Sequence, residues 1–252
     1  MRHETRKNIL KVNKVFTTHL ISVQSAKYAL SNNEYSEGES VILDDSDKSV
    51  ILTKEQADEL NAEQRDYFNS NKDFNPFNPV TEAKPIGYIK FISRETNTNA
   101  YLLDIGIALD DLRKNTKNED LIILGDWPTP WLYQENDYKP VKEAQDWLKK
   151  HITTEFNGGF LLRDSNLIQF IPRLFWLIRC NAALPEFLMT FGNYNTIFSV
   201  CRYGVLHIES YDKDELNSIV DFFNKRKFKQ IDNCSDPIEF DDLDRRQIMP
   251  GS

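Results

Sequence analysis

From residue 86 to residue 211 the chain repeats short apolar runs that are separated by turn-forming residues. Runs with strand composition are IGYIKFIS, AYLLDIGI, LIIL, EFLMTFG, NTIFSVCRYG and VLHIESY. RETNTN separates the first two, and NYN and YG separate the last three, which favours hairpins between neighbouring runs. Amphipathic helical segments are interspersed with these runs, and no βαβ alternation is present. The pattern predicts an α+β fold with a mainly antiparallel sheet and flanking helices.

Capping signals predict two of the helices. TKEQADELNAEQRDYF begins after Thr53, a favoured N-cap residue, and Gln56 would complete a capping box. DKDELNSIVDFFNKRKF has an equivalent pair in Asp212 and Glu215. The apolar face of the first helix is thin, so we expect it at the periphery of the fold.

Proline positions predict two more helices. Pro140 would open the helix PVKEAQDWLKKHI, and Pro172 would open a buried helix over PRLFWLIRCNAAL, a segment whose apolar composition leaves a strand open. NGGFLLRDSNLIQFI, before Pro172, has the composition of strand, turn and strand. Near the N-terminus, the spacing of apolar residues from Ile9 favours a helix, although the β-branched residues of VFTTHLISV leave a strand open.

The 252 residues are enough for one large domain or two small ones. VILDDSDKSVIL predicts two short strands around a turn, and NKDFNPFNPVTEAKP, rich in proline and asparagine, predicts a linker. We therefore expect an N-terminal helical and hairpin subregion over 1–75, a main α+β domain over 86–230 and an acidic tail over 231–252.

The net charge of −8 is unevenly distributed. Residues 34–73 contain twelve acids and four bases, which gives −8 for this zone alone; residues 232–244 contain six acids and no base. Residues 1–33 contain six bases and one acid. An acidic surface attracts a protein partner with a basic surface and repels nucleic acid, so nucleic acid is not the expected partner.

Cysteine content indicates a reducing compartment. Cys180, Cys201 and Cys234 are an odd number and form no CxxC pair, which predicts reduced thiols in the cytoplasm. No zinc-ligand spacing or glycine-rich nucleotide loop is present, so the sequence predicts no metal and no cofactor. No apolar run approaches the ~18 residues of a membrane span, and no secretory signal is recognisable. The Asn-, Lys- and Ile-rich composition is typical of bacterial or phage coding sequences.

The segment LIILGDWPTPWLYQENDY follows a buried strand with two tryptophans and two prolines. Prolines stiffen the backbone, and rigid aromatic side chains are frequent interface hot spots. Two alternatives are that the indoles fill one end of the core or line a ligand pocket. The predicted partner-binding residues are Trp127, Trp131, Tyr133, Asp126 and Glu135.

One combination of residues predicts catalysis. Cys201 and His207 flank the RYG turn, and His207 and Glu209 share a strand face because side chains alternate along a strand. A thiol, an imidazole and an orienting acid in this order are typical of thiol hydrolases. A second enzymatic hypothesis uses carboxylates near Asp104 and Asp126.

The sequence therefore favours a cytosolic protein-binding protein, as an immunity protein or inhibitor that occludes a basic toxin or effector. The first alternative is an enzyme that uses one of these two catalytic groups. The second alternative is a nucleic-acid-associated regulator that uses the basic N-terminus.

Overall fold

The structure, a computed structural model, describes residues 1–27, 34–42, 49–73, 84–133, 136–180 and 184–234. Within these residues the chain forms seven α-helices and ten β-strands. The helices are α1 (Arg6–Val12), α2 (Lys14–Lys27), α3 (Lys54–Asn71), α4 (Thr98–Asn115), α5 (Lys139–Leu148), α6 (Asp164–Arg179) and α7 (Lys213–Lys225). The strands are β1 (Arg2–Glu4), β2 (Ser40–Ile42), β3 (Ser49–Ile51), β4 (Gly87–Ile92), β5 (Leu121–Gly125), β6 (Gly159–Leu162), β7 (Phe187–Phe191), β8 (Thr196–Val200), β9 (Leu206–Ser210) and β10 (Lys229–Ile231).

An antiparallel sheet organises the larger part of the described chain. Its strand order is β1-β6-β5-β7-β8-β9-β4-β10, and every neighbouring pair is antiparallel. Strands β2 and β3 form a separate two-stranded sheet. The predicted α+β fold with a mainly antiparallel sheet is confirmed.

The hydrophobic core lies between this sheet and helices α4 to α7. Every residue of β5 and β7 is buried, which explains their nearly continuous apolar sequences. Tyr101 of α4 is fully buried, and its hydroxyl donates to the Gly204 carbonyl at 2.9 Å in the turn after β8. The core thus fixes the turn that carries one of the predicted catalytic residues.

The predicted strand AYLLDIGI and its hairpin with IGYIKFIS are wrong, because this segment belongs to α4. The side chain of Asn97 accepts from the backbone N–H groups of Asn99 and Ala100 and caps the helix. Buried apolar residues then recur with helical spacing at Tyr101, Leu102, Ile105, Ala108, Leu109 and Leu112. Because AYLLDIGI is apolar around most of its circumference, it lacks the polar–apolar alternation that distinguishes a strand. The cap at Asn97 indicates that it is helical.

The predicted strand over SNLIQFI and the predicted helix start at Pro172 are also wrong. Helix α6 begins at Asp164 and contains Pro172 in its interior. The Asp110 carboxylate on α4 accepts from the Asp164 backbone N–H at 2.9 Å and satisfies one of the amides at this helix start. Helix α6 therefore begins at a contact between elements, which the local sequence does not encode.

The remaining helix predictions are confirmed, with one change at a cap. Thr53 and Gln56 form the complete capping box of α3. Asp212 accepts from two amides at the start of α7, but Glu215 does not close a box. The Glu215 carboxylate instead accepts from the Asn195 backbone N–H at 2.8 Å and the Thr196 hydroxyl at 3.0 Å.

The N-terminal segment and β2–β3 also agree with the prediction. The segment from Ile9 is helical in α1 and α2, which are interrupted at Asn13. Strands β2 and β3 are the two strands predicted in VILDDSDKSVIL, whereas their connecting turn lies outside the described residues.

Contacts divide the chain into two compact units, Met1–His19 with Ala83–Pro250 and Leu20–Glu82. Residues 1–19 group with the larger unit rather than with the N-terminal subregion, because β1 pairs with β6 and Arg6 donates to the Gly125 carbonyl at 2.6 Å. Most of the predicted linker and most of the predicted acidic tail lie outside the described residues. No helix in the described part of the chain combines the length and apolar character that a membrane crossing needs.

Candidate functional site

The two tryptophans of the proline-containing loop are buried. Trp131 is 1 % exposed, stacks on Phe187 with ring centroids 4.0 Å apart, and donates from its indole Nε1 to the Gly158 carbonyl at 2.8 Å. Trp127 is 7 % exposed. The indoles therefore present almost no surface to a partner, and their burial supports the alternative in which they fill one end of the core.

The other residues predicted for partner binding lie in different environments. Tyr133 is exposed, whereas Asp126 is buried and its backbone N–H donates to the Glu186 carbonyl at 2.8 Å. Glu135 lies outside the described residues. Among the predicted partner-binding residues that the structure describes, Tyr133 is thus the one whose side chain a partner could contact.

The carboxylate hypothesis gains no support from the environment of Asp104. Its carboxylate accepts from the Ser93 hydroxyl at 2.5 Å and lies 3.8 Å from the Arg226 guanidinium. These contacts join the end of β4, α4 and the end of α7, so they serve the packing of these elements.

The structure brings Cys201 and His207 together and adds Cys234. Cys201 follows β8, His207 lies in β9, and Cys234 follows β10. The potential ligand atoms of these three residues all lie within 4.8 Å of one another, and Cys234 Sγ is 3.3 Å from His207 Nε2. We call these three residues the thiol–imidazole cluster.

Sheet pairing explains how distant residues meet in the thiol–imidazole cluster. The turn between β8 and β9 is closed by a hydrogen bond from the Gly204 N–H to the Cys201 carbonyl at 2.8 Å, and Gly204 adopts a φ of +77° that favours glycine. His207 pairs with Lys90 of β4, and Lys90 pairs with Ile231 of β10. The chain leaving β10 consequently passes close to His207.

His207 is held at both ring nitrogens. Its Nδ1 is hydrogen-bonded to the Tyr88 hydroxyl, and its Nε2 faces Cys234. Burial and then the positive charge of Lys90 lower the pKa of His207 to about 4, so the imidazole is neutral near pH 7. Burial is also the main cause that raises the pKa of Tyr88 to about 12.

The thiol and acid of the predicted catalytic group are not arranged as a hydrolase would need. Burial raises the pKa of Cys201 to about 11, so the thiol stays protonated and weakly nucleophilic near pH 7. Glu209 accepts from the Tyr211 hydroxyl at 2.9 Å and lies 2.9 Å from Nδ1 of another histidine, His19. Burial acts to raise the pKa of Glu209, but these two partners outweigh burial and lower it.

A cavity of about 580 Å³ adjoins the thiol–imidazole cluster. Besides the three cluster residues, its lining includes Tyr88, Glu186, Arg202 and Tyr203. A small molecule or ion could therefore contact the cluster together with side chains of both charges.

The smaller unit carries an acidic face of another kind. Eight of its described acids are exposed: Glu34, Glu37, Glu39, Glu55, Asp58, Glu59, Glu63 and Asp66. On α3, residues Glu55, Glu59 and Glu63 recur every four positions and so lie along one side of the helix. We call these three residues the acidic stripe; Tyr67, which is 55 % exposed, continues it by one turn.

Exposed apolar side chains also occur on the two-stranded sheet of this unit. Ser40 pairs with Ile51, and Ile42 pairs with Ser49, so Ile42 and Ile51 lie on the same face. They are 63 % and 69 % exposed. Each strand has one partner within the described residues, which leaves backbone groups on the outer edges for pairing.

Sequence analysis missed Cys234, Tyr88 and the acidic stripe, for different reasons. Cys234 and Tyr88 reach His207 through strand pairing, and no local spacing indicates that proximity. The stripe, in contrast, could have been recognised from its four-residue repeat within a predicted helix. Comparisons of the chain with protein-family models, with curated proteins and with solved structures found no significant match.

Proposed function

We propose that this protein binds a protein partner with a basic surface through its smaller unit. The main support for this proposal is the acidic stripe on α3. All three of its glutamates are exposed, and an exposed tyrosine, Tyr67, follows them one turn later. The electrostatic part of the proposal follows from the concentration of negative charge in residues 34–73.

The spacing within the acidic stripe supports binding over a purely solvating role. Like charges four residues apart on a helix each cost about 0.2–0.5 kcal/mol. The pairs Glu55–Glu59 and Glu59–Glu63 therefore weaken α3 in the isolated protein. Lysine or arginine side chains of a partner would remove this repulsion, so binding and the stability of α3 would increase together.

Exposed apolar groups would supply the affinity that surface charges alone do not give. Tyr67 at the end of the acidic stripe is one such group. Ile42 and Ile51 on the two-stranded sheet are two more. A basic partner with an apolar contact region matches this combination of groups.

In its finer form, we propose that the protein is a cytosolic inhibitor or immunity protein that occludes a basic toxin or effector. The tryptophans of the proline-containing loop have no part in this proposal, because they are buried. Occlusion requires only that the bound protein cover a functional surface of its target. Co-expression with such a target should restore growth of the host cell.

The test is affinity capture from the source cell with the full chain and with the double variant Glu59→Gln/Glu63→Gln. Glutamine keeps the helix propensity of glutamate and removes both like-charge pairs of the acidic stripe. We expect a captured basic protein whose association rate with the wild-type chain falls steeply with salt. With the variant, this rate should be lower and less sensitive to salt.

The matched control is Glu143→Gln/Asp146→Asn on α5 of the larger unit. Both acids are exposed, so the control changes the net charge by the same amount at another place. It should leave capture and its salt dependence essentially unchanged. The proposal would be refuted if both double variants reduced capture of the partner equally, or if the association rate did not depend on salt.

A further inference from the structure

We infer that the thiol–imidazole cluster binds one Zn²⁺ ion, with Cys201 Sγ, Cys234 Sγ and His207 Nε2 as its protein ligands. The inference is independent of partner binding, since all three residues belong to the larger unit. It rests on three convergent groups of the kind that zinc prefers, on their distances and on the groups that surround them.

The distances agree with a zinc site that closes slightly on binding. Zn–S and Zn–N bonds of about 2.3 and 2.0–2.1 Å place tetrahedral ligands about 3.6 Å apart for S and N and about 3.8 Å apart for two S atoms. Cys234 Sγ and His207 Nε2 are already 3.3 Å apart. Since all ligand atoms lie within 4.8 Å of one another, no separation needs to shorten by more than about 1 Å.

The surroundings select the correct nitrogen and hold the ligands. The Tyr88 hydroxyl is hydrogen-bonded to His207 Nδ1, which directs Nε2 towards the sulfur atoms. Outer hydrogen bonds of this kind orient metal-binding histidines. The Cys201 backbone N–H donates to the Val205 carbonyl at 3.1 Å and the Gly204 N–H donates to the Cys201 carbonyl at 2.8 Å, so backbone hydrogen bonds close the turn that carries this ligand.

The charges of the three ligands also suit this ion. Two thiolates and one neutral imidazole balance the charge of Zn²⁺. The Lys90 ammonium donates to the Asp232 carbonyl at 2.7 Å and holds the segment that leads to Cys234. Rotation of the two cysteine side chains and a small shift of the segment after β10 would bring the ligand atoms to these distances without a rearrangement of β9.

Three protein ligands leave the fourth tetrahedral position open. The cavity of about 580 Å³ is lined by all three ligands and also by Glu186 and Arg202. A water molecule or a small anionic ligand in this cavity would complete the coordination. An open fourth position distinguishes such a site from a closed structural zinc site with four protein ligands.

The experiment begins with the full-length chain, reduced and stripped of metal. Titration with Zn²⁺ against a chromogenic chelator should show one tightly bound equivalent. Replacement with Co²⁺ should give a thiolate charge-transfer band in the near ultraviolet and the strong visible absorption of tetrahedral Co²⁺. This spectrum needs no variant, so its absence overturns the inference even where a variant fails to fold.

Variants then identify the ligands. Cys201→Ser, Cys234→Ser and His207→Gln should each weaken Zn²⁺ binding by at least about 100-fold, and Tyr88→Phe by about 10-fold. Cys180→Ser, at a half-buried thiol of α6's C-terminal end, is the control and should bind normally. Equal binding by Cys234→Ser and Cys180→Ser overturns the inference. A Cys201–Cys234 disulfide in protein isolated with zinc and without reductant overturns it too.

Discussion

At the scale of single residues, the buried carboxylate of Asp110 connects two helices. Asp110 is 1 % exposed, and its oxygens contact the Arg113 guanidinium at 2.8 Å, the Lys114 ammonium at 2.7 Å and the Asp164 backbone N–H at 2.9 Å. A buried charge is tolerated only when such partners replace water. Asp110 therefore both compensates Arg113, itself buried, and fixes the start of α6.

Asp110→Asn should destabilise the larger unit by about 1–3 kcal/mol near pH 7, because the buried Arg113 loses one of its two carboxylate partners and keeps only the exposed Asp164 at 2.8 Å. Urea unfolding followed by tryptophan fluorescence measures this directly, since all four tryptophans belong to the larger unit. Lys114→Gln, at a partner that is 53 % exposed, should cost no more than about 1 kcal/mol. If Asp110→Asn and Lys114→Gln lowered the free energy of unfolding by similar amounts, the buried contacts of Asp110 would not be the source of its stabilising effect.

The same contacts predict a dependence on pH. Burial acts to raise the pKa of Asp110, but Lys114, Arg113 and the Asp164 N–H together lower it below its ordinary 3.8. A lowered pKa in the folded state stabilises the protein above the unfolded pKa, and this stabilisation is lost as the pH falls through the folded value. The difference in stability between wild type and Asp110→Asn should therefore be constant near neutrality and shrink below about pH 4.

At the scale of elements, α4 and α6 approach each other closely where one helix carries glycine and the other proline. A Cβ atom on Gly106 would lie 2.9 Å from the Ile168 carbonyl oxygen and 3.0 Å from its Cα. Pro172 lies four residues after Ile168 and has no N–H to donate to that carbonyl. The glycine thus lets α4 pack against the backbone of α6 at the place where α6 lacks a helical hydrogen bond.

Gly106→Ala should destabilise the larger unit by about 1–3 kcal/mol through overpacking, although alanine favours a helix by about 1 kcal/mol over glycine. Unfolding followed by tryptophan fluorescence again gives the value. Gly192→Ala is the control, since a Cβ there would meet nothing within 4 Å. A Gly106→Ala protein as stable as the control would show that the two helices separate without cost.

These two helices also show which parts of the fold sequence reasoning could predict. LIIL and VLHIESY form strands as predicted, because short buried runs between turns have few alternatives. AYLLDIGI has the same composition but is helical, because Asn97 caps it and α6 covers its wide apolar face. The helix start predicted at Pro172 is wrong for a related reason. A proline can lie inside a helix where tertiary packing compensates for the lost hydrogen bond, and the sequence of one segment does not reveal that packing.

At the scale of the whole molecule, the candidate sites differ in how far the sequence could indicate them. The concentration of acids in residues 34–73 is visible in the sequence, and the structure adds their arrangement along one side of α3. The thiol–imidazole cluster depends on the β8-β9-β4-β10 strand order. That order joins residues 201, 207 and 234, whose spacing resembles no local zinc motif. The proximity of Cys201 and His207 across one hairpin was therefore predictable, whereas the approach of Cys234 through the pairing of β9, β4 and β10 was not.

The charge distribution predicts that salt affects the two units differently. Residues 34–73 carry −8 and the rest of the chain sums to zero, so self-repulsion is concentrated in the smaller unit. Raising the salt from about 0.01 to about 1 M shortens the Debye length from about 30 to about 3 Å and screens the acidic stripe. Screening should remove about 0.5–1 kcal/mol of repulsion between the glutamates of the stripe. Amide hydrogen exchange in α3 should then slow about two- to five-fold.

Hydrogen exchange measured by mass spectrometry resolves α3 from the strands of the larger unit. Exchange in β5 and β7, which are fully buried, should change much less with salt than exchange in α3. In Glu59→Gln/Glu63→Gln the response of α3 should largely disappear, since both like-charge pairs are removed, whereas Glu143→Gln/Asp146→Asn should keep it. If α3 exchanges at the same rate at both salt concentrations, the stripe does not repel itself, and the reason to expect a basic partner at this helix is lost.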